Sequence, residues 1–187
     1  MRMHRKDNLD ARLAACSDIM TGADLTEKNM KKAAEMKAYL DYAQLFGNVA
    51  PVHMEVGCGK GGFVTGMAQL HTNVNFIAVE KVSNVIITAC EGAKALGLKN
   101  VHFINCPAEV LPRYIRPASI ARVYLNFSDP LPKLGYAAQR LTNPRFLNMY
   151  AAMLCRGGEI WQKTDNEEFF DYSLQSYSEC GFKVEEV

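Results

Sequence analysis

The sequence has no run of apolar residues long enough to cross a bilayer, and its first residues are basic and polar rather than those of a secretory signal. None of its six cysteines forms a C-x-x-C pair, so no metal or redox motif is visible and no metal is expected. Several cysteines lie in apolar contexts that are typical of buried free thiols. These absences argue against a membrane protein and a secreted one, and they favour a reducing cytoplasm.

An excess of charge of one sign is also lacking, because 21 basic residues nearly balance 20 acidic ones and leave a net charge of +1. The molecule as a whole is therefore not an obvious nucleic-acid binder. The distribution is uneven, since Lys and Arg are frequent near the start and acids are frequent in the last segment. A basic N-terminal arm that lies along phosphates and a solvated tail explain this pattern equally well.

Residues 52–80 read as a strand, a glycine turn, a helix and a second strand that ends in an acid. The turn contains Gly57, Gly59 and Gly62, and it lets a ligand approach the backbone closely because no Cβ stands in the way. The first N–H groups of the following helix are free to bind a polar or anionic end of that ligand. Glu80 can accept both hydroxyls of a ribose. The unit therefore predicts a site for a nucleoside-bearing cofactor.

Glu55, two residues before the first glycine, distinguishes between the candidate cofactors. A carboxylate at this strand end would repel the pyrophosphate of NAD, although the glycine spacing also fits a dinucleotide. It would attract a cation, such as the ammonium group of S-adenosylmethionine (AdoMet), whose sulfonium is also positive. AdoMet is therefore the favoured cofactor. A structural turn in which Glu55 caps a helix is the alternative.

Strands and helices alternate along the rest of the chain, and no repeat or low-complexity stretch interrupts them. Strands are expected at residues 52–56, 75–80, 101–105, 120–126, 159–163 and 182–187. Helices are expected from Asp24 or Thr26 to about Phe46 and at residues 82–96, 144–154 and 167–180, whereas residues 1–23 read as irregular. The alternation predicts an α/β fold with a mostly parallel, doubly wound sheet that binds ligands at the carboxyl ends of its strands.

Two further stretches should meet at that edge. Asp129 is followed by two prolines just after the fourth strand, and proline stiffness restricts where its carboxylate can point. This carboxylate is either held over the cofactor or caps a turn before Pro130. After the fifth strand, Thr164 or Asp165 is expected to be the N-cap of the next helix. Asp165 would then lie on the same rim as Asp129.

Several strings in this chain resemble, in the same order, those of bacterial tRNA (guanine-N7-)-methyltransferases of the TrmB type. They are Glu55–Gly61 (E-I-G-x-G-K-G), Ala78–Glu80, Tyr124–Lys133 (Y-L-N-F-x-D-P-W-P-K), Arg140–Leu147 (R-L-T-x-P-x-F-L), Gly157–Glu159 and Lys163–Asn166 (K-T-D-N). The resemblance covers nearly the whole chain. It implies a Rossmann-like class I AdoMet-dependent methyltransferase that modifies guanine 46 in the variable loop of tRNA. The implied domain spans residues 48–187, preceded by an N-terminal arm and helix at residues 1–47.

The resemblance also implies roles for individual residues. Asp129 is the expected catalytic residue, and Lys133 and Asp165 are the expected contacts to guanosine and RNA. Where the family usually has an Asp that meets the adenine amine, this chain has Pro107, so backbone groups nearby would have to read the adenine. The expected cofactor-binding residues are Glu55, Gly57, Gly59, Glu80, Asn105, Cys106, Ala108 and Asn126.

Other departures from the family bear on the substrate and on the sheet. The stretch between Lys133 and Arg140 is typically basic in the family and carries no charge here. This difference keeps a small-molecule AdoMet methyltransferase and a weakened tRNA-binding paralogue open, with an NAD oxidoreductase as a distant third. The chain stops before the family's last strand, so we expect an exposed sheet edge. A monomer and a homodimer both remain open.

Overall fold

The computed structural model describes residues 5–22 and 29–185. Its centre is a six-stranded sheet in the order β1-β4-β3-β2-β5-β6, in which every neighbouring pair is parallel. The strands are β1 (Met20–Gly22), β2 (Val52–Val56), β3 (Asn75–Val79), β4 (Val101–Asn105), β5 (Ile120–Asn126) and β6 (Leu154–Lys163). The predicted parallel sheet is confirmed.

Helices lie on both faces of this sheet. They are α1 (Leu9–Ala14), α2 (Met30–Glu35), α3 (Tyr42–Phe46), α4 (Gly62–Leu70), α5 (Ser83–Ala95), α6 (Leu111–Tyr114), α7 (Pro144–Met153) and α8 (Glu167–Glu179), with short 3₁₀ helices at Ala108–Val110 and Leu134–Gln139. One core cluster joins the sheet to α1, α4 and α5, and the other joins it to α2, α6 and α7. Within β3, Phe76 and Ala78 serve the first cluster, whereas Ile77 and Val79 serve the second. Alternation along a strand that is buried on both faces therefore produces the doubly wound architecture.

The expectation that residues 1–23 are irregular is wrong for the part that the structure describes. This segment forms α1 and then β1, which pairs with β4 through Met20↔Phe103 and Gly22↔Asn105. Arg12 of α1 binds Glu91 of α5 with its guanidinium nitrogen 2.6 Å from the carboxylate. The cause is long-range: β4 would otherwise leave its backbone groups unpaired, and a three-residue strand is enough to occupy them.

The prediction of a single helix that ends near Phe46 is also wrong, because the structure has two shorter helices there, α2 and α3. Between them the chain is not helical, and its N–H groups bond to the end of α6: Ala38 N to Arg113 O at 2.8 Å and Leu40 N to Tyr114 O at 2.9 Å. Asn29 and Asp41 cap the two helices. Tertiary hydrogen bonds have thus overridden a good helix propensity. The expected caps at residues 24 and 26 lie outside the described residues.

The last part of the sheet differs from the prediction in two ways. β6 begins at Leu154 rather than at residue 159, and residues 182–185 form no strand, whereas residues 186–187 lie outside the described range. Among the described residues β6 therefore pairs only with β5 and forms an edge, as expected. The single tryptophan of the chain, Trp161, lies on this edge strand and is 49% exposed, with the Arg122 guanidinium 3.9 Å from its ring centroid. Within the described ranges, no helix has the length and apolar character that crossing a membrane requires.

Candidate functional site

The register of the strands brings the predicted site segments to one edge of the sheet. Val56 pairs with Val79, and Val79 pairs with Ile104, so the turns after β2, β3 and β4 are neighbours. Asn126 pairs with Lys163, which places the segments after β5 and β6 side by side. The carboxyl edge therefore runs from the predicted adenine side after β4 to the predicted substrate side after β6.

The turn after β2 depends on three glycines in the left-handed region of backbone space, although not on the three in the sequence pattern. Gly57, Gly59 and Gly61 have φ values of 84°, 57° and 83°. Gly62 is the first residue of α4 and has open space where a side chain would be. A Cβ on Gly61 would lie 2.6 Å from Ala89 Cβ, so this glycine lets α4 and α5 approach each other. At Gly59 a Cβ would meet no atom of the described residues within 4 Å, which leaves room for a ligand.

Glu55 is the most unusual group at this edge, because its carboxylate is buried with one oxygen unpaired. The residue is 3% exposed. Its Oε1 accepts a hydrogen bond from Asn126 Nδ2 at 3.0 Å, whereas the buried Oε2 has no partner among the described residues. Burial raises the pKa of Glu55, opposed in part by Asn126 and the nearby Val64 amide. A buried carboxylate oxygen without a donor suits a cationic ligand group, and the cofactor predicted here carries an ammonium.

The alternative in which Glu55 caps a helix has one contact in its favour, because the Val64 amide in the first turn of α4 lowers the pKa of Glu55. The N-cap residue of α4 is Gly61, which has no side chain with which to cap the helix itself. Capping would still leave the buried Oε2 without a partner among the described residues, and this oxygen fits AdoMet better than a purely structural turn.

Glu80 lies just after β3, beside the turn after β4. Its Oε1 accepts from the Val82 amide at 2.8 Å, and its backbone oxygen accepts from Asn105 Nδ2 at 2.8 Å. Ser83 donates in turn to Asn105 Oδ1 at 2.7 Å. The Asn105 side chain is thus engaged in fixing the Glu80 backbone, while Glu80 keeps its second carboxylate oxygen for a ligand.

The groups expected to read the adenine lie in the turn after β4. Cys106 is buried, burial raises the pKa of its thiol to about 12, and its amide donates to Ile104 O at 3.2 Å. Ala108 is also buried, and Pro107 has no N–H. Recognition of an adenine by backbone groups of this turn stays a prediction.

The segment after β5 carries Asp129 on a strained, exposed loop. Phe127 and Leu131 have φ values of 48° and 45°, which are rare for residues other than glycine. Asp129 is exposed, and its Oδ1 accepts from the Leu131 amide at 3.1 Å. This is the turn-capping contact of the alternative interpretation, yet it occupies only one oxygen and leaves the carboxylate accessible. Lys133 follows and is also exposed.

The cap of α8 is Asn166 rather than Thr164 or Asp165. Asn166 Oδ1 accepts from the Phe169 amide at 2.8 Å, and Thr164 Oγ1 accepts from the Asn166 amide at 3.2 Å. Asp165 is exposed, and among the described residues no group bonds to its carboxylate. The correction leaves Asp165 free to contact a substrate.

The sequence alone assigned no role to Arg140 and Leu141, which lie near the end of the loop between β5 and α7. Leu141 Cδ1 lies 3.7 Å from the position that a Cβ on Gly57 would take, so this side chain borders the glycine turn. Arg140 Nη2 donates to Leu131 O at 3.2 Å, and its guanidinium lies 4.2 Å from the ring centroid of Tyr172. The resemblance included the Arg-Leu-Thr string, but no periodicity or spacing indicated these contacts.

Comparisons with known proteins identify the family of this chain. Residues 49–186 match a protein family described as a putative methyltransferase. A tRNA (guanine-N(7)-)-methyltransferase of Geobacillus thermodenitrificans (strain NG80-2) is 45% identical over 144 residues, which are 77% of this chain and 67% of that protein. One of the same name from Bacillus subtilis (strain 168) is 40% identical over 181 residues, which are 97% of this chain and 80% of that protein.

Solved structures support the fold. The crystal structure of a SAM-dependent methyltransferase from Aquifex aeolicus is similar with a TM-score of 0.56 and 15% identity, covering 85% of this chain and 91% of that one. This likeness confirms the Rossmann-like class I methyltransferase fold and nothing finer. The family match and the relatives together show that the chain belongs to the tRNA (guanine-N(7)-)-methyltransferase family.

Proposed function

We propose that this protein transfers a methyl group from AdoMet to N7 of guanine 46 in the variable loop of tRNA. The observation that carries the proposal is the buried, unpaired Oε2 of Glu55 beside a turn of left-handed glycines, in a chain of this family. An unpaired carboxylate oxygen of this kind favours a cationic cofactor over a diphosphate.

Glu55 would bind the ammonium group of AdoMet, and Glu80 would accept the ribose hydroxyls. Gly57, Gly59 and Asn126 would shape the space between them, and backbone groups near Asn105, Cys106 and Ala108 would read the adenine. When bound, the cofactor supplies an electrophilic methyl group on a sulfonium sulfur.

Asp129 would act on the base. Guanine N7 has a free lone pair, so no proton has to leave before the new N–C bond forms. The methyl–sulfur bond would break with its electron pair left on the sulfur, and the product ring would be positively charged. A carboxylate placed beside the ring can accept its N–H groups, orient it and stabilise the developing charge. The exposure of Asp129 and its single hydrogen bond leave it able to do this.

Lys133 and Asp165 would hold the RNA around the target guanosine. Both are exposed and follow the neighbouring strands β5 and β6. N7 lies on the major-groove edge, so the guanine has to be accessible or displaced from its stack. The tRNA substrate and six unpaired thiols, four of them buried, also favour the cytoplasm as the site of action.

The function is tested by incubating the purified chain with unmodified tRNA and labelled AdoMet, followed by nucleoside analysis. We expect 7-methylguanosine in the tRNA. Label in no tRNA nucleoside, or in a nucleoside other than 7-methylguanosine, would contradict the proposal.

In the same assay, Asp129→Ala should lower methyl transfer by at least about 100-fold, because it removes the charge that stabilises the cationic product. AdoMet binding, measured by calorimetry, should stay within about two-fold, since Asp129 does not touch the glycine turn. Asp171→Ala, which removes an exposed acid from α8, is the matched control and should change neither quantity. Normal turnover of Asp129→Ala would show that the catalytic assignment is wrong.

A further inference from the structure

The Arg140 side chain connects the Asp129 loop to helix α8. One face of its guanidinium lies over the ring of Tyr172, with Cζ 4.2 Å from the ring centroid. Its Nη2 donates to the backbone oxygen of Leu131 at 3.2 Å. A planar guanidinium can make both contacts at once, stacking with its face and donating with its edge.

The peptide groups on both sides of Leu131 are therefore fixed by side chains. Arg140 holds the oxygen of Leu131, and the Leu131 amide donates to Asp129 Oδ1 at 3.1 Å. Leu131 has a φ of 45°, which costs a non-glycine residue energy and persists only where surrounding contacts enforce it. In this chain the Arg140 hydrogen bond is a contact that enforces it, and the orientation of the Asp129 carboxylate depends on the result.

The Tyr172 ring on which Arg140 stacks is itself held in place by several contacts. Tyr172 stacks on the buried Phe169 of the same helix and accepts from Asn143 Nδ2 at 3.0 Å. Next to it, the buried Thr142 and Ser173 hydroxyls are 2.9 Å apart. The stretch that carries Arg140 is thus bonded to α8 by its own following residues. Movement of the guanidinium would require movement of this whole contact.

Arg140 has no carboxylate partner among the described residues, although such partners are the usual companions of a half-buried arginine. Its role is therefore not that of an ion pair. Two roles remain for such a group next to a tRNA site: holding the loop, as the contacts suggest, or reserving its charge for an RNA phosphate.

We propose that Arg140, stacked on Tyr172, is a positioning residue that fixes the Asp129 carboxylate through the Leu131 peptide. The proposal rests on the proposed function, in which Asp129 acts on the guanine. In this role Arg140 would contact neither the base nor the cofactor. Substitution of Arg140 should therefore lower turnover and loosen the loop that carries Asp129. It should have no further effect on turnover once Asp129 is replaced.

The test uses three single variants of the full chain. Arg140→Lys keeps the charge but loses the planar fork, and Tyr172→Leu removes the ring on which the guanidinium stacks. Tyr172→Phe is the matched control, because it keeps the ring and loses only the hydroxyl bond from Asn143, while Phe169 and the Thr142–Ser173 contact still hold the ring in place. We expect kcat for tRNA methylation to fall about 10-fold in the first two variants with KM for tRNA within about two-fold, and kcat of the control to stay near wild type.

A double variant shows through which group Arg140 acts. Adding Arg140→Lys to Asp129→Ala should produce no further loss of kcat, since both changes remove the same positioned carboxylate. Additive losses would overturn the proposal. A higher KM for tRNA with an unchanged kcat in Arg140→Lys would also overturn it, in favour of a bidentate phosphate contact.

Hydrogen exchange of the Leu131 amide supplies a readout that needs no substrate. We expect exchange in the free protein to be about 10-fold faster in Arg140→Lys and Tyr172→Leu and unchanged in Tyr172→Phe. Unchanged exchange in all three variants would refute the positioning role even if tRNA methylation is confirmed. Faster exchange in an enzyme that does not methylate tRNA would refute the proposed function alone, so the two failures are distinguishable.

Discussion

The two halves of the site are built in opposite ways. On the cofactor side, Glu55 is buried, and the amides of Gly57 and Cys58 both donate to Val79 O, at 2.8 and 2.9 Å. On the substrate side, Asp129 is exposed on a loop with left-handed Phe127 and Leu131. The cofactor side is part of the core, whereas the substrate side is a strained segment that a few side-chain contacts hold in place.

Because of this difference, substitutions should be able to change cofactor binding and methyl transfer separately. Changes in the cofactor side should alter the free energy of unfolding, because they disturb close-packed strands and helices. Changes in the substrate loop should leave stability almost unchanged and alter catalysis. Three predictions test the first half of the comparison, and the Asp129 and Arg140 variants test the second.

The largest effect is expected where the glycine turn meets the neighbouring helix. Gly61→Ala would place a Cβ 2.6 Å from Ala89 Cβ at a φ of 83°. The overlap and the left-handed backbone together should lower the free energy of unfolding by about 3 kcal/mol. Thermal and urea unfolding measure this. Gly62→Ala, one residue on and in open space on α4, should be neutral or slightly stabilising. Equal stability of the two variants would contradict the packing described.

A smaller and opposite effect on stability is expected at Glu55. Burial raises the pKa of this carboxyl, which means that the folded protein disfavours its charged form. Glu55→Gln should therefore stabilise the free protein by about 1 kcal/mol while it weakens AdoMet binding about 10-fold or more. Melting curves and calorimetric titrations measure the two quantities. The exposed Asp171→Asn, in the middle of α8, is the control and should change neither. Lower stability of Glu55→Gln with unchanged AdoMet affinity would show that Glu55 is a structural residue and not a cofactor ligand.

The smallest effect on stability is expected at a histidine in β4, the strand that leads into one of the turns proposed to bind the cofactor. Burial lowers the pKa of His102, on β4, from 6.5 to about 4, and its Nε2 lies 2.9 Å from Thr21 Oγ1 of β1. Between those pH values the unfolded chain binds a proton that the folded chain does not. Stability should therefore fall as the pH is lowered through this window and stay flat above it.

Urea unfolding at several pH values measures this loss, which should be about 1 kcal/mol between pH 6.5 and 5.5 for this histidine. His53, whose pKa burial and Arg122 also lower to about 4, should add to the same loss. His102→Leu should reduce the slope by about one proton. An unchanged slope in that variant would show that the titration lies elsewhere.

The features that sequence predicted well are those that are fixed locally. The unit from β2 through β3 was recognisable because its strand, turn and helix signals lie within thirty residues, and α5 ends near Gly97, as expected. The features that it missed depend on distant partners. β1 exists because β4 offers an unpaired edge, and the chain between α2 and α3 is extended because the end of α6 accepts its N–H groups.

The same division holds in the site. Glu55 could be predicted from its place before the glycines, but its hydrogen bond from Asn126 joins residues 71 positions apart. Asp165 and Asn166 are both good helix caps, and only the backbone geometry selects Asn166. The sequence does not predict the stack of Arg140 on Tyr172, because no local pattern in either segment indicates which distant residue it will contact.

The position of Trp161 has a practical consequence. Because the chain has one tryptophan, its ultraviolet emission reports on a single place, the edge strand that leads through Lys163 to the Asp165 segment. Its indole donates to Glu159 at 2.8 Å and lies under the Arg122 guanidinium, so small shifts of either charge should change the emission. The protein thus carries a natural fluorophore near its proposed substrate side, and its emission should report in real time, without an attached dye, whether an RNA docks there.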